Sequence, residues 1–371
     1  MHRGEVGAGR QPLRVGVVGC GAISKRYFAA AYDSFEVVAC ADLDRGRAEA
    51  AAGAHGLVAQ DVEELLADPT IDVILNLTIP AAHAPVSRAA LEAGHHVYQE
   101  KPLALGRAEA ADLLATASRT GRLLGSAPDT FLGAGLQLCR HLIDSGAIGE
   151  PVAASAAFLC HGHESWHPDP GFYYRRGGGP LLDMGPYYLT ALVSLLGPVA
   201  AVDSMARTTF AERVVTSSPR AGERIAVEVP THVAAVLELV GGPLVTLVTS
   251  FDVWPPRYAT FEIYGTEGTL ALPDPNTFGG PVRLLDPGGN WSDVSLDGRP
   301  LQQRGVGLAD LAVSAMSGRL PRAGGELAHH VLDVMLGVLD SAESGRRVAL
   351  QSRAERPAPV PVGLAEGEID P

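Results

Sequence analysis

A two-part α/β protein is what this sequence predicts: an alternating β/α half over residues 13–128, then a half over 129–350 built on a large, mostly antiparallel open sheet. Three observations carry it. From Leu13 to Gly125 short β-rich runs alternate with helical periodicity, the pattern of a parallel sheet flanked by helices. After Ser126-Ala127-Pro128 the pattern shifts to period-two strands joined by tight turns such as Val240-Gly241-Gly242-Pro243. A length of 371 residues also exceeds what one core normally supports, so two domains are the natural division.

Taken in order, Leu13–Val18 is the first strand, and it enters Gly19-Cys20-Gly21-Ala22-Ile23-Ser24. Ile23, Tyr27, Phe28 and Ala31 then fall at helical spacing. Strand, glycine turn and helix are the setting that a G-x-G phosphate loop requires. Gly19 allows the tight turn, Gly21 lets a pyrophosphate approach the backbone, and Ala22 and Ile23 open a helix whose free N–H groups favour an anion. Ser24 stands where a third glycine is usual. The second strand, Phe35–Ala41, ends at Asp42, 23 residues after Gly19, close to the spacing of about 20 for an acid that accepts the adenosine ribose hydroxyls. Such a carboxylate repels a 2′-phosphate and favours NAD, while Arg45 and Arg47 keep NADP open. Asp44 also suits the cap of a helix over Arg45–Ala52.

Asp61–Ala67 is a short helix, and Ile71–Asn76 an apolar run of the parallel-strand type. It leads into Leu77-Thr78-Ile79-Pro80 and a helix over Pro85–Glu92 stopped by Gly94. Thr78 and Pro80 thus share the sheet edge with the glycine loop and are placed to wall a cofactor. His83 is either a cofactor contact or a polar first-turn residue. His95–Gln99 is another strand; Pro102 cannot supply a ladder N–H, so pairing stops there. Glu100 and Lys101 are left at the carboxyl edge, where open α/β sheets bind ligands. A helix over Arg107–Thr120 and a strand over Arg122–Gly125 close this half.

The second half opens with a helix over Gly133–Asp144 and carries strands at Pro151–Leu159, Val199–Thr208, His232–Val240, Leu244–Phe251 and Tyr258–Tyr264, with shorter ones near Leu270, Val282 and Val294. Gly177-Gly178-Gly179 precedes a helical run in which Asp183 and Tyr187, four apart, share a face. A carboxylate and a phenol so presented either bind vicinal hydroxyls and move a proton, or merely satisfy each other. In His161-Gly162-His163-Glu164-Ser165-Trp166-His167-Pro168 the histidines lack zinc spacing, so no metal is assigned. This loop, with Phe172 and Tyr173, either walls a substrate site, through Trp166 and His167 above all, or caps the fold. Thr130, after a strand at the same edge, is a further substrate candidate. The last helix covers Glu326–Ser341. Residues 1–12 read as a loose tail, and 351–371, Pro- and Glu-rich from Ala354, as disordered.

Composition narrows the partners. A formal net charge of −13 argues against nucleic acid and anionic membrane, which need a basic face. The four cysteines form no C-x-x-C pair, no run approaches a membrane helix, and the N-terminus lacks an apolar signal segment. A cytoplasmic protein is the simplest consequence.

The glycine loop, Glu100-Lys101-Pro102, and Gly177-Gly178-Gly179 followed by Asp183, Gly185 and Tyr187 together resemble the Gfo/Idh/MocA oxidoreductases over roughly residues 13 to 350. The resemblance implies a Rossmann domain, a C-terminal domain with an open sheet, and NAD(P)-dependent oxidation or reduction of a sugar, sugar derivative or cyclitol. It also implies that Lys101 lies beside the reacting hydroxyl, that Lys101–Pro102 is cis, and that a homo-oligomer, dimer or tetramer, forms through the sheet. Tyr187 departs from the histidine common at this place and resembles the glucose-fructose oxidoreductase branch; Thr190 stands where an aspartate is frequent.

Oxidising a secondary alcohol requires a group to take its proton as hydride leaves. Lysine starts at about 10.4 and tyrosine at about 10, so one must shift to work at neutrality. Lys101 is expected to be the principal proton-transfer group, lowered by burial and by the nicotinamide charge and opposed by Glu100, with Tyr187 as relay and Asp183 as hydroxyl anchor. Two rivals remain: an enzyme that oxidises transiently to cleave or epimerise a glycoside, and a non-catalytic NAD-binding sensor.

Overall fold

The computed structural model describes residues 11–254, 261–300, 302–365 and 367–370. Its first half is β1 (Leu13–Val18), α1 (Ser24–Phe28), β2 (Phe35–Ala41), α2 (Arg45–His55), β3 (Val58–Ala59), α3 (Val62–Ala67), β4 (Val73–Asn76), α4 (Pro80–Ala93), β5 (His96–Gln99), α5 (Arg107–Thr120) and β6 (Leu124–Ser126). The strands form one sheet in the order β3-β2-β1-β4-β5-β6, parallel throughout. The order reverses between β1 and β4, and the crevice there is where such sheets take ligands. Every residue of β4 is buried because helices cover both faces, which explains its continuous apolar run. Helix α4 begins at Pro80, earlier than the sequence predicted, because a proline at the first helical position has no N–H to leave unpaired.

The second half follows as α6 (Ala134–Asp144), β7 (Pro151–Leu159), α7 (Pro180–Leu196), β8 (Val199–Arg207), a two-stranded ribbon of β9 (Glu212–Val214) and β10 (Arg224–Ala226), β11 (His232–Leu239), β12 (Leu244–Ser250), β13 (Phe261–Gly265), β14 (Thr269–Ala271), β15 (Val282–Leu285), β16 (Trp291–Val294), α8 (Val306–Ser317), α9 (Gly325–Ser344) and β17 (Val348–Ala349). Nine of these strands make a sheet in the order β16-β15-β14-β13-β7-β12-β11-β8-β17, antiparallel at every pairing except β7 with β12. Helices α7 and α9 pack against one face of it. The opposite face exposes Met205, Val236 and Leu244. The strand expected from Tyr258 begins outside the described residues, as do residues 1–10 of the expected N-terminal tail.

Helix α8 and the C-terminal segment also differ from expectation. Helix α8 has no counterpart in the sequence reading, because Val306 to Ser314 are all buried and an all-round apolar helix shows no stripe. It packs on β5 and β6, where a Cβ at Gly125 would stand 2.8 Å from Leu311. The described residues of the segment expected to be disordered, 351–365 and 367–370, are instead laid across the body. Arg322 donates to Ala358 O (3.0 Å) and to Asp370 Oδ2 (2.7 Å), Arg140 to Pro357 O (2.9 Å), and Gln137 Oε1 accepts the Val360 N–H (2.7 Å). Its Pro-rich composition leaves few donors of its own, but its carbonyls satisfy arginines that the body presents.

Candidate active site

Backbone geometry builds the crevice between β1 and β4. Gly19, with φ of 101°, donates its N–H to Ala41 O (2.8 Å), and a Cβ on it would lie 2.7 Å from the Leu77 carbonyl. Only glycine fits there, on both counts. Asp42 accepts the Cys20 N–H at Oδ2 (2.8 Å) and the Asp44 N–H at Oδ1 (2.9 Å), so the predicted ribose acid also pins the loop. Ser24, in place of a third glycine, donates its hydroxyl to Gly21 O (2.7 Å). A Cβ on Gly21 would meet nothing within 4 Å. This open backbone face, beside Ala22 and Ile23, fits a pyrophosphate, and the pinned carboxylate of Asp42 fits a ribose. Asp44 caps α2 through the Gly46 N–H (3.0 Å).

The neighbouring loops are tied to this crevice. Glu100 donates its N–H to Asn76 O (3.0 Å), and its carboxylate accepts the Tyr27 hydroxyl (3.0 Å) and the Lys101 N–H (3.2 Å). The Lys101–Pro102 bond is cis. Thr78 donates its hydroxyl to Asn76 Oδ1 (2.6 Å), and Pro80 follows at the head of α4. His83 is buried, with its ring nitrogens 2.7 Å from Pro102 O and 3.0 Å from Thr78 O; burial holds it below the usual histidine range against the pull of those carbonyls. A neutral imidazole donates to one of these carbonyls at a time, so His83 sits clamped between the two loops.

From the second half, α7 brings its first turns to the same place. Lys101 Nζ donates to Asp183 Oδ1 (2.9 Å) and to Asp183 O (2.7 Å), and it lies 5.3 Å from the centre of the Tyr187 ring. The lysine and aspartate side chains are only 17% and 18% exposed. Burial alone would lower the ammonium pKa, but Asp183, then Tyr187 and Glu100, outweigh it, so Lys101 is raised. Asp183, which burial would raise, is pulled down to about 2 by Lys101 and His163. Burial raises Tyr187 despite Lys101. The downward shift expected of Lys101 is therefore reversed here, because the partner that dominates its charge is Asp183, a residue the sequence had assigned to substrate hydroxyls.

The loop after β7 forms the rim. Trp166 is exposed, and its ring meets His163 edge-on at 5.1 Å and His167 at 5.4 Å; Phe172 and Tyr173 follow beside His167. Thr130 departs from its expected place: at 1% exposure it offers no surface for a substrate to touch. Its neighbour Asp129 is committed to Arg304 Nη1 (2.8 Å) and to the Gly305 and Gly307 N–H groups. His163, weighed in the sequence for a metal and as part of a substrate wall but not as a partner of Asp183, has Nε2 3.5 Å from Asp183 Oδ2. Among the described residues no group of three or more His, Cys, Asp or Glu is placed to hold a metal ion. Sequence reasoning also missed Tyr27 and the brace behind the rim, where Arg213 donates to Glu164 (2.8 Å) and pairs with Asp252. Two acids and an arginine dozens of residues apart give no local pattern to read.

A dinucleotide crevice at the switch point of a parallel sheet, faced by a lysine and an acid from two lobes, defines a nicotinamide-dependent oxidoreductase. Residues 13–127 match the oxidoreductase family with NAD-binding Rossmann fold, and residues 136–271 match the GFO/IDH/MocA C-terminal domain. The chain belongs to the Gfo/Idh/MocA oxidoreductase family. It is 34% identical to a dTDP-3,4-didehydro-2,6-dideoxy-alpha-D-glucose 3-reductase of Streptomyces violaceoruber over 50% of this chain and 55% of that protein, about half of each. Its identity to the reductase of that name from Streptomyces antibioticus is 31% over 70% of this chain and 75% of the relative. A 1,5-anhydro-D-fructose reductase of Ensifer adhaerens is 26% identical over 91% of this chain and 99% of its own length. The apo form of levoglucosan dehydrogenase shares the fold with a TM-score of 0.81 at 21% identity, covering 93% of this chain and 100% of that one.

Proposed function

We propose that the protein transfers a hydride between a nicotinamide cofactor, NAD in preference to NADP, and a secondary alcohol or ketone of a sugar, sugar derivative or cyclitol. The observation that carries this reading is Lys101 Nζ held by Asp183 at the carboxyl edge of β5, beside Tyr187 and one loop from the crevice. The bound nicotinamide supplies or accepts the hydride. The chain's residues do the rest: Gly19, Gly21, Ala22 and Ile23 cradle the pyrophosphate, Asp42 takes the ribose, and Thr78 and Pro80 wall the ring. Asp42 favours NAD because a 2′-phosphate would meet its negative charge; Arg45 is tied to Glu49 and Asp61, and Arg47 to Asp44.

Lys101 carries the proton to or from the substrate oxygen, Tyr187 relays beside it, and Asp183 fixes the ammonium. With its proton held by Asp183, Lys101 stands in the state from which reduction of a ketone starts. The rim of Trp166 and His167 offers aromatic planes to the apolar face of a sugar. The exposed face of the nine-stranded sheet, with Met205, Val236 and Leu244, is where a second copy would dock to give a dimer or tetramer. No helix among the described residues is long and apolar enough to cross a membrane.

The test is a panel of 1,5-anhydro-D-fructose with NADH or NADPH, and of myo-inositol and levoglucosan with NAD or NADP, followed by absorbance of the reduced cofactor. On the substrate that turns over, Lys101→Ala lowers turnover by about 10²–10⁴-fold and leaves NADH affinity nearly intact. Equal loss of turnover and cofactor affinity refutes the role of Lys101.

A further inference from the structure

Asp183 divides its carboxylate: Oδ1 faces Lys101 Nζ at 2.9 Å, and Oδ2 faces His163 Nε2 at 3.5 Å. His163 is 7% exposed, in a cage of ring edges from Trp166 (5.1 Å), Tyr173 (4.2 Å) and Phe251 (4.6 Å). Its Nδ1 is buried with no hydrogen-bond partner among the described residues. A ring kept there for packing alone would be better apolar, since an unsatisfied buried nitrogen is costly. What the imidazole gains over a phenyl ring in this cage is Asp183.

The other ionisable groups around it are accounted for. The Tyr174 hydroxyl accepts the His163 backbone N–H (3.4 Å) and itself donates to Glu164; Glu164 is committed to Arg213; Tyr173 presents a ring edge, and His167 adjoins Trp166. Lys101 and His163 share Asp183 as a partner.

We propose that His163 is a positioning residue for the proton on Lys101: by holding Asp183 Oδ2 it shares the carboxylate's charge, so that Lys101 is able to part with its proton. The inference rests on the proton-transfer role given to Lys101 above. In the reducing direction the Lys101 N–H bond breaks, and its proton passes to the substrate oxygen as the C=O π pair moves onto that oxygen. The hydride with its electron pair comes from the reduced nicotinamide, and Lys101 is left neutral. At that moment Asp183 is a buried carboxylate that has lost its cation, a costly state. The contact that then remains on its charge is His163. Without it the carboxylate holds the ammonium harder.

Lys25 and Lys101 are the chain's two lysines, and Lys25 is exposed, which gives an internal standard. Trace acetic anhydride labels only free-base amine, so the ratio of Lys101 to Lys25 acetylation, read by peptide mass spectrometry at fixed pH, reports how tightly Lys101 keeps its proton. His163→Phe is expected to lower the ratio about threefold, half a pKa unit, and His163→Gln, which keeps an N–H donor, to restore it. NADH fluorescence titration, unchanged in both variants, shows that the fold is kept. On the substrate found by the panel, His163→Phe lowers kcat by up to about threefold with KM unchanged. An unchanged or raised labelling ratio in His163→Phe, a fall that Gln does not reverse, or a loss confined to KM overturns the proposal. Labelling needs no substrate, so its outcome is separate from that of Lys101→Ala, on which the hydride-transfer reading stands.

Discussion

Replacing Gly21 by alanine separates what the fold needs from what the cofactor needs. A Cβ at this position meets nothing within 4 Å, and the backbone there lies outside the left-handed region, so the protein has no objection to it. Stability should hold or rise slightly, since Gly→Ala at a compatible site typically adds about 0.4–1 kcal/mol through the unfolded chain. A bound pyrophosphate would occupy that same open space, and a methyl group there lifts it off the loop N–H groups. Losing two charge-assisted hydrogen bonds at about 1.5 kcal/mol each costs about 3 kcal/mol, close to a hundredfold in Kd. Gly19→Ala is the contrast. Its φ of 101° and the Leu77 carbonyl 2.7 Å from the added Cβ both oppose alanine, for about 2–6 kcal/mol of backbone strain and overpacking. NADH fluorescence titration and thermal unfolding read the pair. Gly21→Ala should keep its Tm and lose NADH, while Gly19→Ala should lose on the order of 5–10 °C as well. A Gly21→Ala protein that binds NADH within about twofold of the parent refutes the placement of the pyrophosphate.

The folded value of Asp183, about 2, lies below the unfolded carboxyl value, about 3.9; its contribution is complete above about pH 4 and fades as pH falls through 2. The difference in urea-unfolding free energy between the parent and Asp183→Asn should therefore stay constant from pH 7 to about 4, and its collapse by pH 5 would contradict the ion pair. Burial holds His330 down at about 4, and its Nε2 accepts the Val199 N–H (3.0 Å). Between the unfolded value, about 6.5, and 4 the unfolded chain binds the proton first, so stability is lost as pH is lowered through that window; His330→Gln should flatten that slope, and an identical slope would refute it. Deleting the chain after Arg353 removes Ala358 O and Asp370 from Arg322 and Pro357 O from Arg140, leaving them Asp310 and Asp144, and should lower Tm on the order of 5 °C or more; an unchanged melt would restore the reading of a loose tail.

Much of the first half was legible because its signals are local. The glycine turn, Asp42 at its spacing and Pro102 after β5 each act within a few residues. Lys101, Asp183 and Tyr187 were legible as candidates, since the i, i+4 face of α7 and the strand end at β5 are sequence patterns. Their mutual pairing was not, because it depends on how two lobes meet. The same reason hid His163, whose partner is on another element, and the Arg213–Glu164–Asp252 brace. Thr130 was misplaced because a residue after a strand at the ligand edge still turns inward or outward according to its neighbours, and Asp129 with Arg304 fills that turn. The terminal segment misled by composition: proline-rich chain reads as disorder unless donors elsewhere await its carbonyls.

Helix α8 has a consequence for how the chain comes to be made. It covers β5 and β6, yet it begins at Val306, long after the last strand of that sheet. A fragment ending near residue 128 would leave an apolar wall of its sheet bare and be prone to stick to other chains. On the ribosome the nucleotide-binding lobe must wait, part-dressed, until Val306–Ser317 has emerged.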